Sequence, residues 1–134
     1  MMMEGERTGA LLDGVATFSS CTRTELDLLS FIGTEASIEP GTVIMEEGAV
    51  SRECFVITNG RARAWRSGES LGGFGPGEFF GELSLMTGAT HPFTVTAETP
   101  MELIVLSPAE FDALLARAPS VVRKMLRERP RVVA

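Results

Sequence analysis

Gly77-Glu78-Phe79-Phe80-Gly81-Glu82-Leu83-Ser84-Leu85-Met86-Thr87-Gly88-Ala89-Thr90-His91-Pro92-Phe93-Thr94-Val95-Thr96-Ala97 is the stretch around which this chain is organised. It reads as a glycine-punctuated turn, one short apolar helical turn carrying Phe79, Phe80, Leu83, Leu85 and Met86, a Gly-Ala-Thr-His-Pro loop, and then a strand. In the strand, Phe93, Val95 and Ala97 alternate with Thr94, Thr96 and Glu98, which gives one apolar and one wet face. Main-chain N–H groups at the start of a helical turn have no intrahelical partner and sit at the positive end of the peptide dipoles. Residues 81–84 therefore read as a cradle for an anion such as a phosphate. Gly81 lets a ligand come close to the backbone. Glu82 is then a carboxylate beside the anion, able to accept a hydrogen bond from a sugar hydroxyl.

Upstream, Thr22 followed by Glu25 forms a capping box, and Leu26, Leu29 and Ile32 share a helical stripe, so a short amphipathic helix is expected. From Ser37 onward, turn signals recur about every 8 to 12 residues, the spacing of an all-β sandwich or barrel. Pro40-Gly41 precedes Thr42, Val43, Ile44 and Met45, and Gly48 precedes a loop to Cys54, Phe55, Val56 and Ile57. Asn59-Gly60 signals a hairpin into a strand over residues 61–66. That strand sends Arg61, Arg63 and Trp65 to one face and Ala62, Ala64 and Arg66 to the other. Downstream, residues 101–106 form an apolar strand. Ser107-Pro108-Ala109-Glu110 then opens a helix to about Arg117 with Phe111, Leu114 and Leu115 on one face. Pro119 restarts helix, with Val121, Val122, Met125 and Leu126 apolar, and Pro130 ends it.

With 134 residues, 44% hydrophobic and 22% charged, the chain has room for one domain and its core but not for two. The net charge of −6 hides an asymmetry: residues 1–116 carry 17 acids and 6 bases, residues 117–134 one acid and 6 bases. The body repels nucleic acid, and the basic tail reads as a solvated helix face rather than a nucleic-acid site. Arginines interleaved with Trp65 read as an exposed strand face in these acidic surroundings. Cys21 and Cys54, without CxxC spacing, read as buried or half-buried thiols of a cytoplasmic protein, and one histidine leaves too few ligands for structural zinc. Residues 1–7 hold Glu4 and Glu6 and are no signal peptide, and no uncharged apolar run reaches membrane-spanning length. Gly72, Gly73, Gly75 and Gly77 do not spell a dinucleotide fingerprint. No Ser or Cys has a base partner other than His91, so the chain reads as no enzyme.

The stretch from Phe80 to Leu85, F-G-E-L-S-L, resembles the phosphate-binding cassette of cyclic-nucleotide-binding domains, the module of catabolite-activator-type regulators, cyclic-nucleotide-dependent kinases and gated channels. There F-G-E-L-[AS]-L is followed by a few loop residues and R-[AST]-A. The runs E-P-G-T-V-I-M-E-E-G and C-F-V-I-T-N-G-R-A-R-A resemble the first half of the family's β-roll, so the likeness covers most of the chain. It implies a mainly β (α+β) fold, a double-stranded β-helix or jelly-roll barrel with a short N-terminal helix and C-terminal helices over residues 107–129. It implies one domain over residues 1–134, with 1–20 a partly flexible lead-in, and a non-catalytic sensor for cyclic AMP or cyclic GMP. The cassette residues it implies are Gly81, Glu82, Leu83, Ser84, His91 and Pro92, with no cofactor and no metal. No DNA-binding domain and no membrane enter. The partner is a second copy docked through the C-terminal helices, or an effector protein.

His91 stands where the resemblance puts the family's phosphate-binding arginine, and Pro92 where it puts the next small residue. Histidine lacks the length, the fork and, at neutral pH, most of the charge of arginine, and proline has no N–H to donate. His91 therefore has three readings: a loop residue with a solvated ring and no ligand, a pH-sensitive phosphate ligand, or a contact to another small molecule. The alternative function is a degenerate domain that binds no nucleotide and serves protein association. For Glu82 the ligand-free reading is a carboxylate at the positive end of the helical turn.

Overall fold

The computed structural model describes residues 22–120, 122 and 123. The first helix, α1 (Arg23–Ile32), starts where its capping box predicts. Thr22 Oγ1 accepts from the Glu25 N–H at 3.2 Å, and Glu25 Oε1 accepts from the Thr22 N–H at 2.9 Å. Leu29 is fully buried and Ile32 half-buried, while the Leu26 side chain lies outside the described residues. So do residues 1–20 and Cys21.

Eight strands follow: β1 (Thr34–Ile38), β2 (Val43–Met45), β3 (Cys54–Asn59), β4 (Ala62–Arg66), β5 (Glu69–Phe74), β6 (Phe79–Phe80), β7 (Thr94–Ala97) and β8 (Met101–Leu106). They form two four-stranded antiparallel sheets, ordered β1-β8-β3-β6 and β2-β7-β4-β5. This is the expected mainly β jelly-roll arrangement, with the correction that the two sheets are not closed into a barrel. Two helices complete it, α2 (Glu82–Thr87) and α3 (Pro108–Arg117).

The central strands of the first sheet, β3 and β8, are apolar on both faces. In β3, Cys54 and Val56 pack with Leu29 of α1, Leu85 of α2 and Leu114 of α3, while Phe55 and Ile57 pack toward the second sheet. A strand buried on both sides reads as a continuous apolar run, as C-F-V-I does. Strand β8 repeats the pattern, with Ile104 and Leu106 under the helices and Met101 and Leu103 between the sheets. Two cores result, one helix-to-sheet and one sheet-to-sheet.

Three expectations need correcting. Asn59-Gly60 makes no hairpin: β3 pairs with β8 and β6, β4 pairs with β5 and β7, and the chain crosses from one sheet to the other at that turn. Gly60, at φ +90°, passes so close to residues 100 and 101 that a Cβ would lie 2.3 Å from the Pro100 carbonyl oxygen. The two-residue hairpin is instead Ser67-Gly68 between β4 and β5, both at positive φ, as a type I′ turn requires. Phe79 and Phe80 are not helical. They pair with Val56 and Phe55 as β6, and helix begins only after Gly81. Leu115 is exposed, so the buried side of α3 is carried by Leu114 with Phe111 half-buried beside it.

The capping box of α3 forms as predicted, Ser107 Oγ accepting from the Glu110 N–H and Glu110 Oε1 from the Ser107 N–H. Helical backbone resumes at residue 119 and buries Val122. Val121, Met125, Leu126 and Pro130 lie outside the described residues. Cys54 is a buried thiol.

Candidate functional site

The site is built where β6 turns into α2. Gly81 makes the corner at φ +88°, and a Cβ there would lie 2.6 Å from the Glu53 carbonyl oxygen. The close approach that glycine permits is thus used by the chain itself, at the entry to β3, rather than left for a ligand. Helix α2 is a turn and a half long, with Glu82, Ser84 and Leu85 buried. Its last N–H bond, from Gly88 at φ +76° to the Ser84 carbonyl at 2.8 Å, closes it in a left-handed cap. Upstream, the turn into β6 is clamped by fully buried Glu78, whose Oε1 accepts from the Gly75 N–H at 2.6 Å.

Loop 46–53, between β2 and β3, is strapped across both halves of this unit. On one side Gly48 N–H donates to the His91 carbonyl at 2.9 Å, His91 N–H donates to the Ala49 carbonyl at 2.8 Å, and Ser51 Oγ lies 2.9 Å from His91 Nε2. On the other, Arg52 N–H donates to Ser84 Oγ at 3.2 Å and Arg52 Nη2 to the Leu85 carbonyl at 3.3 Å. Arg52 reaches both from a left-handed backbone, φ +56°. Glu47 ties the strap to the second sheet, its N–H donating to Thr94 Oγ1 and its Oε1 accepting from the Ser67 N–H.

His91 is buried, 2% exposed, and burial pushes its pKa below 6.5 because charging the ring would cost hydration. The ring is therefore neutral near pH 7. Among the described residues its Nδ1 has no hydrogen-bond partner. This burial contradicts the solvated ring of the first reading of His91, not its lack of a ligand.

Gly81, Glu82, Leu83, Ser84, His91 and Pro92, drawn from two segments, all line one cavity, which Met45 and Phe93 complete. The cavity measures about 30 Å3, room for a water or two and far below the several hundred Å3 of a small-molecule pocket. Behind Pro92 the space between the sheets is filled by rings: Phe55 on Phe80 at 5.2 Å, Phe80 on Phe74 at 5.2 Å, and Phe74 on Phe93 at 6.1 Å between centroids.

Four residues that sequence reasoning left out of the site belong to its frame: Ser51, Arg52, Glu78 and Arg66. Arg66 leaves the inward face of β4 and donates from Nε to the Pro92 carbonyl at 3.1 Å. Its placement beside Ala62 and Ala64 was legible as strand alternation. Ser51 and Arg52 gave no local signal, since only the tertiary fold brings their loop to α2. On the outer face Arg63 pairs with Glu98 and Ser70, and Trp65 Nε1 donates to Thr96 Oγ1, so these groups serve the sheet. Among the described residues no group of three or more His, Cys, Asp or Glu is placed to hold a metal ion, and no helix is long and apolar enough to cross a membrane.

Two facing antiparallel sheets, flanking helices and a short helix inserted at a glycine corner between β6 and β7 define a jelly-roll module. The chain belongs to the cyclic nucleotide-binding domain family, whose model matches residues 35–118. It is 28% identical over 113 residues to a cAMP-dependent protein kinase regulatory subunit of Hypocrea atroviridis, a match that covers 84% of this chain and 24% of that protein. A solved structure described with a cyclic-GMP-dependent signalling pathway in bacterial phytopathogenesis aligns with TM-score 0.71 and 30% identity, covering 79% of this chain and 88% of that one. The Thermus thermophilus catabolite activator protein aligns with TM-score 0.69 and 25% identity, over 87% of this chain and 54% of that one. The chain spans under a third of the length of the curated relatives it matches first.

Proposed function

We propose that the domain is a non-catalytic regulatory module that takes cyclic AMP or cyclic GMP at the cassette and holds it weakly. In this reading the main chain of residues 81–84 faces the phosphate, Glu82 accepts from the ribose, and His91 and Pro92 close the far wall. The supporting observation is that all six residues, from two separate segments, line one cavity. Affinity is low for two reasons. A neutral histidine and a proline supply neither the fork nor the N–H that an arginine followed by a small residue would. At roughly 1.5 to 3 kcal/mol for each missing charge-assisted bond, the loss is on the order of a hundredfold to ten-thousandfold. The strap of loop 46–53 must also yield before the cavity admits a nucleotide. The C-terminal helices carry the signal to a second copy or to an effector protein, in the cytoplasm.

A second reading, a protein-association module that binds no nucleotide, is favoured by the small cavity and by the seat of His91 on Ser51. Calorimetric titration with cyclic AMP and cyclic GMP at about pH 5.5 and 7.5, either side of the histidine reference value, separates the two. Heats of binding at either pH support the sensor, and heats that grow at the lower pH add His91 as a titrating cation. Flat titrations at both values, with binding restored by His91→Arg together with Pro92→Ala, support the association module.

A further inference from the structure

The loop that closes the cassette carries no cation of its own, since His91 is neutral near pH 7, yet a guanidinium stands against it. Arg66 is the last residue of β4. The ladder with β7 ends at the pair Trp65 and Thr94, and strand alternation puts Arg66 on the face of Ala62 and Ala64. Its side chain is half-buried, and its one hydrogen bond goes to a neutral acceptor, the Pro92 carbonyl, at 3.1 Å. No carboxylate among the described residues forms an ion pair with it; Glu47, in the strap, has its Oε1 accepting from the Ser67 N–H. By contrast, Arg63, three residues earlier on the outer face, has Glu98 as its counter-ion.

A half-buried arginine has lost part of its hydration, and a backbone carbonyl returns only part of that loss. An anion offering two oxygens to the planar fork returns far more. The cavity that Pro92 lines is lined also by His91, whose buried Nδ1 has no partner among the described residues. We propose that Arg66 is the anion-binding cation of this cassette, contributed from β4 instead of from the loop, and that it moves from the Pro92 carbonyl to the cyclic phosphate when a ligand enters. This rests on the cyclic-nucleotide reading for the identity of the ligand, but not for the presence of an anion site. The contact to Pro92 keeps the guanidinium beside a residue that walls the cavity, and the proposed move is a rotation of side-chain torsions.

The test compares the wild-type chain with Arg66→Gln, Arg66→Lys and the outer-face control Arg63→Gln, all checked for folding by circular dichroism. Each is titrated with cyclic AMP, cyclic GMP and inorganic phosphate at two ionic strengths, by calorimetry and by the fluorescence of Trp65, the sole tryptophan. Arg66→Gln is expected to weaken nucleotide and phosphate binding by about tenfold to a hundredfold and to flatten the salt dependence. Arg66→Lys should keep part of the affinity, and Arg63→Gln all of it. Nucleotide binding that is equal in wild type and Arg66→Gln overturns the role of Arg66 and leaves the proposed function standing. Phosphate binding that depends on Arg66, without any nucleotide binding, upholds the anion site and overturns the proposed function. A wild type that takes neither probe overturns both.

Discussion

His91 Nε2 lies 2.9 Å from the hydroxyl of Ser51, a bond that joins the strap of loop 46–53 to the far wall of the cassette. The two residues are 40 positions apart, and the bond holds the ring in a site where its charged form is disfavoured. The same strap reaches the near wall through Arg52, so one loop governs both sides of the cavity.

The burial of His91 makes stability depend on pH with a definite sign. Its folded-state pKa lies below the unfolded value near 6.5, so the unfolded chain takes up the proton first. This contribution is fully present above pH 6.5 and is lost as the pH falls from there through the folded-state value. Thermal melts between pH 7.5 and 5.5 should show wild type losing more stability than His91→Gln, which has nothing to titrate at that position. Parallel curves for the two proteins would contradict the assignment.

The strap should open locally when its anchors are cut. Ser51→Ala with Arg52→Gln removes the bond to the His91 ring and the guanidinium bond to Leu85, each worth about 1 kcal/mol net. Exchange of the Gly48 and His91 amide hydrogens should accelerate about tenfold or more, while amides of β8 keep their protection. Unchanged exchange at both positions would mean that other contacts hold the loop.

What the sequence disclosed and what it hid follows from the range of each interaction. The capping boxes at Thr22 and Ser107 and the alternation of Phe93, Val95 and Ala97 depend on residues within a turn or a strand, and they form as read. The Asn59-Gly60 turn was visible as a turn, but which sheet the next strand joins depends on β7 and β5, far along the chain. Phe79 and Phe80 were misread as helix because a short apolar run between glycines fits either period, and pairing with β3 decides it. The six residues that the resemblance implies come from two segments, and the fold brings them to one cavity. The frame of that cavity was not readable, because Ser51, Arg52 and Arg66 meet His91, Ser84, Leu85 and Pro92 only through tertiary structure.

The glycine corner offers a controlled comparison of backbone strain and crowding. Gly81 and Gly41 both sit at φ +88°, but a Cβ on Gly41 meets nothing within 4 Å, whereas one on Gly81 lies 2.6 Å from the Glu53 carbonyl oxygen. Gly41→Ala should cost only the left-handed backbone penalty, about 1 to 2 kcal/mol. Gly81→Ala adds a clash with main chain that cannot rotate away, and should cost about 3 kcal/mol or more in urea unfolding. Equal costs for the two variants would show that β3 gives way easily at Glu53.

Phe93 is the ring through which the core and the cassette communicate, since it stacks on Phe74 at 6.1 Å and also walls the cavity. Phe93→Ala should cost about 3 to 5 kcal/mol, the transfer term of the lost ring plus the cavity it leaves. The vacated space adjoins the existing 30 Å3 and is faced by Phe74 and Met45, so it should accept a small apolar molecule. Benzene is therefore expected to raise the melting temperature of Phe93→Ala and to leave wild type unchanged, because a ligand that binds only the folded state stabilises it by mass action. A variant that loses stability but does not respond to benzene would show that the ring ladder collapses into the gap. In that case the cassette cavity stays as small as in the parent, and its size is set by Met45 and the strap rather than by the aromatic core.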